Sequence, residues 1–169
     1  MENDHIKLGL IIISDRAAAG SRPDETTPMV RSWCVAHSYD LVFNAVVPDK
    51  AEAIRDVLGM AVNRADIDLV ITSGGTGLSR SDITPEITKE FIDRPTPGID
   101  EFLRAKGLEQ TPFSMLSRGV SGLAGNRLII NMPGRSQAVV KNLDWLAEVL
   151  PHALRVSRGP VEDREHGNE

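Results

Sequence analysis

The chain has 169 residues, 41 % of them hydrophobic and 25 % charged, which suits one globular domain with a sizeable core. A net charge of −5 argues against a general nucleic-acid binder. No apolar run approaches the roughly 20 residues that cross a bilayer, the N-terminus lacks a signal-peptide pattern, and a single cysteine, Cys34, permits no intrachain disulfide. These features predict a cytoplasmic protein without a membrane partner.

Ile6 to Ile13 reads as a first strand, aliphatic from Leu8 onward and suited to burial on both faces. It empties into Ser14-Asp15-Arg16 and a polar loop containing Gly20, Pro23, Asp24 and Pro28. A helix from about Pro28 to His37 would put Val30, Trp33, Cys34 and His37 on one face, with His37 a partly buried residue and Cys34 a packed thiol. Tyr39 to Val47 is a second strand. Asp49, three residues before Glu52, resembles a capping box opening the next helix, whose apolar face is Ile54, Leu58, Ala61 and Val62.

Ile67 to Thr72 is a short aliphatic run ended by glycines, hence a buried strand. Beyond it, Ser73-Gly74-Gly75-Thr76-Gly77 offers positive φ and no Cβ atoms to block a ligand's approach to the backbone. Asp82 follows, then Thr84-Pro85-Glu86, where threonine suits an N-cap, proline the first turn, and a carboxylate the positive end of the helix dipole. This order of strand, glycine loop, acidic loop and helix start is how an open α/β sheet builds a ligand site beyond its strand ends.

The helix is expected to run through Phe91-Ile92 to near Arg94-Pro95. Thr96-Pro97-Gly98 reads as a turn, Ile99 to Lys106 as a short helix closed by Gly107, and Phe113 to Ser117 as a brief segment. Gly125-Asn126 marks a hairpin whose clearer strand is Arg127 to Asn131. After Pro133-Gly134-Arg135, Ser136 would cap a helix reaching about Leu150 with Val139, Val140, Leu143, Leu146 and Ala147 inward. The reading is one α/β domain over 1–157, helices on both sides of a largely parallel sheet, and a disordered tail over 158–169.

The four histidines, His5, His37, His152 and His166, lack metal-ligand spacing with Cys34, and no Gly-x-Ser-x-Gly elbow is present. The glycine loop is neither a Walker A loop nor a dinucleotide fingerprint. What remains is glycines, hydroxyls, carboxylates and the loop arginines Arg16, Arg22, Arg80, Arg118 and Arg135, which on one rim would attract a small anion. That set suits phosphoryl or nucleotidyl transfer with Mg²⁺, where the protein mainly positions groups and neutralises charge.

The segments ISDRAAAG, TSGGTGLSRSDITPE, TPFSMLSRGVSGLAG and LIINMPGRSQA, in this order, resemble the Mog-type molybdopterin adenylyltransferases of molybdenum-cofactor biosynthesis, which include the gephyrin G domain and its plant counterpart. The similarity covers roughly Ile6 to Leu154. It implies a three-layer α/β/α fold, usually a trimer, and transfer of AMP from MgATP to the terminal phosphate of molybdopterin. The product would pass to a molybdate-insertion protein. By matching motif, Asp49, Asp82 and Glu86 are the expected catalytic acids, with Asp49 and Asp82 as Mg²⁺ ligands. Ser73, Gly74, Gly75, Thr76 and Gly77 would hold the nucleotide, while Ser14, Asp15, Ser117 and Arg118 line the pterin and phosphate side. Pro133, Gly134 and Arg135 match the family's Pro-Gly loop. The chain departs from the pattern at Ser136, often a second proline, and at Thr26-Thr27-Pro28, where Ser-Gly-Pro is usual. The alternative reading is a pterin-binding or scaffolding protein of the same fold that transfers nothing.

Overall fold

The computed structural model describes residues 5–159. In chain order it contains β1 (Ile6–Ile13), α1 (Asp15–Ala18), α2 (Thr26–His37), β2 (Tyr39–Val47), α3 (Ala51–Asn63), β3 (Leu69–Ser73) and α4 (Thr84–Lys89). There follow β4 (Arg94–Pro95), α5 (Pro97–Leu108), a 3-10 turn (Pro112–Leu116), β5 (Ser121–Ala124), β6 (Arg127–Met132), α6 (Ser136–Leu146) and α7 (Leu150–Ser157). One six-stranded sheet runs in the order β2-β1-β3-β6-β5-β4. β2, β1, β3 and β6 are mutually parallel, whereas β5 runs antiparallel to both β6 and β4. The expected three-layer α/β/α domain with a small hairpin is what forms.

The two-residue period of the strands divides the core into two layers. Leu8, Leu10, Ile12, Leu69, Ile71, Leu128, Ile130 and Met132 face α2 and α6 through Val30, Trp33, Val139 and Leu143. Ile11, Ile13, Val70 and Ile129 face α3 and α4 through Ile54, Val57, Leu58 and Ile87. The chain winds outward from β1 to β2 and returns across β1 to β3, so the order reverses between β1 and β3. The carboxyl ends beside that reversal are where open α/β sheets place ligands.

Several expected boundaries shift for local reasons. α2 starts at Thr26 because the Asp24 carboxylate accepts from the backbone N–H groups of Thr26 and Thr27 (2.9 and 3.0 Å). The polar loop after β1 contains α1, capped by Ser14. His37 is exposed at the end of α2, its ring stacked on Trp33 at 4.1 Å. Asp49 does not cap α3, because Lys50 holds that position without a side-chain bond. Thr84 and Ser136 are likewise the first helical residues rather than caps. α4 ends at Lys89, and Arg94–Pro95 pairs with Gly122–Leu123 as an edge strand. The Thr96-Pro97-Gly98 turn is the start of α5, which runs past Gly107. The last predicted helix is two, broken between Leu146 and Leu150. The expected tail falls outside the described residues beyond Gly159, and α7 itself reaches Ser157.

Candidate active site

Three parallel strands end together. β3 turns out of the sheet at Gly74, whose N–H donates to the Met132 carbonyl at the end of β6 (3.1 Å). A Cβ on Gly74 would lie 2.2 Å from the Ile13 carbonyl oxygen at the end of β1. With φ of +110° as well, only glycine serves here. Gly75 has φ of +65°, and a Cβ there would lie 2.2 Å from Thr84 Oγ1. That hydroxyl is fully buried and has no hydrogen-bond partner among the described residues, while the Thr84 N–H donates to the Gly75 carbonyl (3.1 Å). The Ser73 hydroxyl donates to the Pro133 carbonyl (3.0 Å), tying the glycine loop to the Pro133-Gly134 loop.

The carboxylates arrive from different elements. Asp49, after β2, and Asp15, after β1, exchange bonds: the Asp15 N–H donates to Asp49 Oδ2 and the Asp49 N–H to Asp15 Oδ1, both at 2.9 Å. This bridge sets Asp49 Oδ1 3.4 Å from where a Gly75 Cβ would stand. Burial pushes the Asp49 carboxyl up from its ordinary value, and the charges of Asp15 and Asp82 push the same way against its backbone hydrogen bonds. Asp82 Oδ2 accepts from the Ser79 N–H (2.9 Å) and lies 2.9 Å from the Cβ position of Gly77. Residues 49, 82 and 74–77 therefore converge.

Arg118 lies behind this loop rather than in front of it. Its N–H donates to the Thr76 carbonyl (2.9 Å), and its Nε to the Gly77 carbonyl (2.7 Å). Its terminal nitrogens donate to the Asp82 carbonyl and the Glu86 carboxylate. The hydrogen bond from Arg118 holds the Glu86 carboxyl below its ordinary value. Glu86 is thus the counter-ion of Arg118.

In front of the loop opens a cleft of about 860 Å³, walled by α5, the 112–116 turn and one face of α6. Of the sequence-predicted residues, Gly74, Gly75, Thr76, Gly77, Asp82, Ser117, Pro133, Gly134 and Arg135 line it. Ser14, Asp15, Ser73, Asp49, Glu86 and Arg118 do not, although Asp49 meets the loop at Gly75. The Ser14 hydroxyl caps α1 by accepting from the Ala17 N–H (3.3 Å). Of the five loop arginines only Arg135 reaches the cleft, and Arg16 lies within α1. Sequence reasoning missed the far wall: Asp100 and Arg104 on α5, and Lys141, Asn142 and Trp145 on α6. The available signal was helical spacing, because 100, 103, 104 and 107, and likewise 138, 141, 142 and 145, fall on single faces.

A glycine loop at a strand-order reversal, flanked by two carboxylates and facing a cleft, marks an α/β protein with a ligand-sized site beyond its strand ends. The family follows from comparison. Residues 9–152 match the family model described as "Probable molybdopterin binding domain", and the chain belongs to that family, in its Mog/MoaB branch. A molybdopterin adenylyltransferase of Haemophilus influenzae is 34 % identical over 145 residues, spanning 85 % of this chain and 74 % of that protein. The molybdenum cofactor synthesis protein cinnamon of Drosophila melanogaster is 30 % identical over 90 % of this chain, which spans only 26 % of that longer protein. The crystal structure of the molybdopterin biosynthesis enzyme MoaB of Thermus thermophilus superposes with a TM-score of 0.84 at 38 % identity, covering 92 % of this chain and 98 % of that one. Among the described residues no helix is long and apolar enough to cross a membrane.

Proposed function

We propose that the chain is a molybdopterin adenylyltransferase. The observation that carries the reading is the convergence of Asp49 and Asp82 on one glycine loop, Asp49 at Gly75 and Asp82 at Gly77. An oxygen of the pterin's terminal phosphate attacks the α-phosphorus of ATP. The bond from that phosphorus to the bridging oxygen breaks, and pyrophosphate leaves with the electron pair. A phosphate nucleophile already carries charge at neutral pH, so the chain need supply no general base. Its task is to align two anions and offset their repulsion.

The acids suit Mg²⁺. Each aspartate gives one oxygen to a backbone N–H, leaving Asp49 Oδ1 and Asp82 Oδ1 for other partners. Burial first, and then the charges of Asp15 and Asp82, raise the Asp49 carboxyl, and a cation would relieve that cost. Among the described residues no cluster of three or more His, Cys, Asp or Glu could hold a metal. A Mg²⁺ here would take one or two carboxylates and complete its shell with phosphate oxygens and water. When bound, the ion would neutralise charge on the transferring phosphate.

The glycine loop leaves backbone close to the phosphates, and Arg135 adds a cation at the cleft. The proposal includes a homotrimer and hand-over of product to a molybdate-insertion protein. Exposed Phe113, Met115 and Leu116 beside the cleft support an assembly surface there.

Incubation of the chain with molybdopterin and MgATP should release pyrophosphate and yield the adenylylated pterin. Asp82→Asn should stop turnover and retain pterin binding. No pyrophosphate from the wild type would sink the reading, and normal turnover by the variant would remove Asp82 from its role.

A further inference from the structure

Under the glycine loop runs a buried polar chain that ends on an open donor. The Asn131 amide on β6 donates to the hydroxyls of Thr72 on β3 and Thr88 on α4, both at 2.9 Å. The Thr88 hydroxyl in turn donates to the Thr84 carbonyl one turn back (2.8 Å), the bond a helical threonine commonly makes. Thr84 opens α4, so no helical carbonyl stands four residues before it. Its backbone is held on both sides, the N–H on the Gly75 carbonyl (3.1 Å) and the carbonyl under Thr88. Its side chain is not. Thr84 is 0 % exposed, and its hydroxyl has no hydrogen-bond partner among the described residues. A buried hydroxyl left unpaired is costly, so the group calls for an acceptor.

An acceptor stands close by on Asp49. From the point where a Gly75 Cβ would stand, Thr84 Oγ1 lies at 2.2 Å and Asp49 Oδ1 at 3.4 Å. Both oxygens border that one point, and glycine puts no side chain there. Asp49 Oδ2 already accepts from the Asp15 N–H (2.9 Å), which leaves Oδ1 open. An ionised carboxylate oxygen has two lone pairs, so a bond from Thr84 would still leave Oδ1 able to take a cation. Carboxylates that hold a metal are generally held in turn by such donors. No bond joins the two residues in this structure. A movement of the 48–50 loop by a few ångströms towards Gly75 would make one.

We propose that Thr84 is a positioning residue for Asp49: when the site is loaded, its hydroxyl donates to Asp49 Oδ1 and fixes the carboxylate beside Gly75. The inference rests on the proposed use of Asp49 with MgATP, and adds which side chain sets the aim of that carboxylate.

Isothermal titration of the full chain with ATP, with and without Mg²⁺, reads this apart from turnover. Thr84→Val keeps the branched shape and removes the hydroxyl. It should weaken MgATP binding by about 10- to 100-fold, the usual loss when the donor behind a metal-binding carboxylate is removed. Binding of metal-free ATP should hardly change, and the melting temperature should not fall, since the hydroxyl is unpaired in the free protein. Thr84→Ser restores the donor and should recover most of the MgATP affinity. In an Asp49→Asn background Thr84→Val should cost nothing more, because the hydroxyl acts through that carboxylate. Wild-type MgATP affinity in Thr84→Val overturns the inference. Equal weakening of ATP with and without Mg²⁺, together with a lower melting temperature, overturns it and makes Thr84 a packing residue of the loop. An additive loss in the Asp49→Asn background overturns it as well. Should Thr84→Val fail to fold, Thr84→Ala and Thr84→Ser carry the same comparison. A wild type that binds MgATP by these rules yet makes no adenylylated molybdopterin costs only the proposed function. A wild type that binds ATP no better with Mg²⁺ than without sinks the two together.

Discussion

Removing Arg118 tests whether it braces the glycine loop or touches the substrate. The side chain donates to the Gly77 and Asp82 carbonyls and to Glu86, so Arg118→Ala strips a charged donor from two loop carbonyls and breaks one ion pair. Arg118 is 35 % exposed, so water can replace part of what is lost. Each carbonyl bond is then worth about 1 kcal/mol, discounted by that exposure from the roughly 1.5–3 kcal/mol of a bond to a charged group. The pair with Glu86, which is 49 % exposed, adds about 0–1 kcal/mol. The sum of about 2–3 kcal/mol should lower the melting temperature by roughly 5–10 °C in a domain of this size. Glu86→Gln keeps both carbonyl bonds and should cost no more than about 1 kcal/mol. Its main signature is in acid. Arg118 depresses the Glu86 carboxyl, so that contribution is present above the ordinary value of 4.5 and lost as pH falls through the depressed one. The variant should flatten that limb of the stability curve. Thermal melts across pH, with KM for ATP and for the pterin, separate the cases. A loosened loop raises KM for ATP as stability falls, and Arg118→Lys, able to reach one carbonyl at a time, recovers part of both. Unchanged melting of Arg118→Ala with only the pterin KM raised would refute the brace and make Arg118 an anion contact.

Asp49→Asn should melt at or slightly above the wild-type temperature near neutral pH. A carboxyl raised in the folded state contributes stability only at low pH, already lost near neutrality, and Asn removes the unfavourable charge while still accepting from Asp15. The same variant should lose turnover and the melting increase that Mg²⁺ gives the wild type; retention of that increase would take Asp49 out of metal binding. Gly75→Ala should cost about 1–3 kcal/mol from its positive φ alone, plus the clash with Thr84 Oγ1. Thr84→Ala removes a hydroxyl without a partner among the described residues, so it should cost little alone and restore part of the stability lost in Gly75→Ala. Purely additive denaturation energies for the double variant would rule out that contact.

How far the sequence discloses this protein follows from the range of the forces involved. β1, β2 and the hairpin are legible because aliphatic runs and a Gly-Asn turn act over a few residues. Helix starts at Asp49, Thr84 and Ser136 misread because each has a cap's chemistry but a tertiary partner or position that overrides it. Asp49 is held by Asp15 from another strand end, and Thr84 is pressed against Gly75. The two-residue strand β4 carries no periodic signal and exists only because β5 offers it an edge. Motif matching gathers Arg118 and Glu86 with the functional acids because they sit beside the loop in sequence and in space. It cannot tell that three of the guanidinium's donors are already given to the protein. The converse holds on the far wall. Asp100 and Asn142 lie in helices whose apolar faces attract notice first, and only when α5 and α6 both border one cleft do a carboxylate and an amide emerge as part of its lining. The glycine loop is therefore written locally, whereas the helix-lined part of the cleft depends on two helix faces that the fold brings to one cavity.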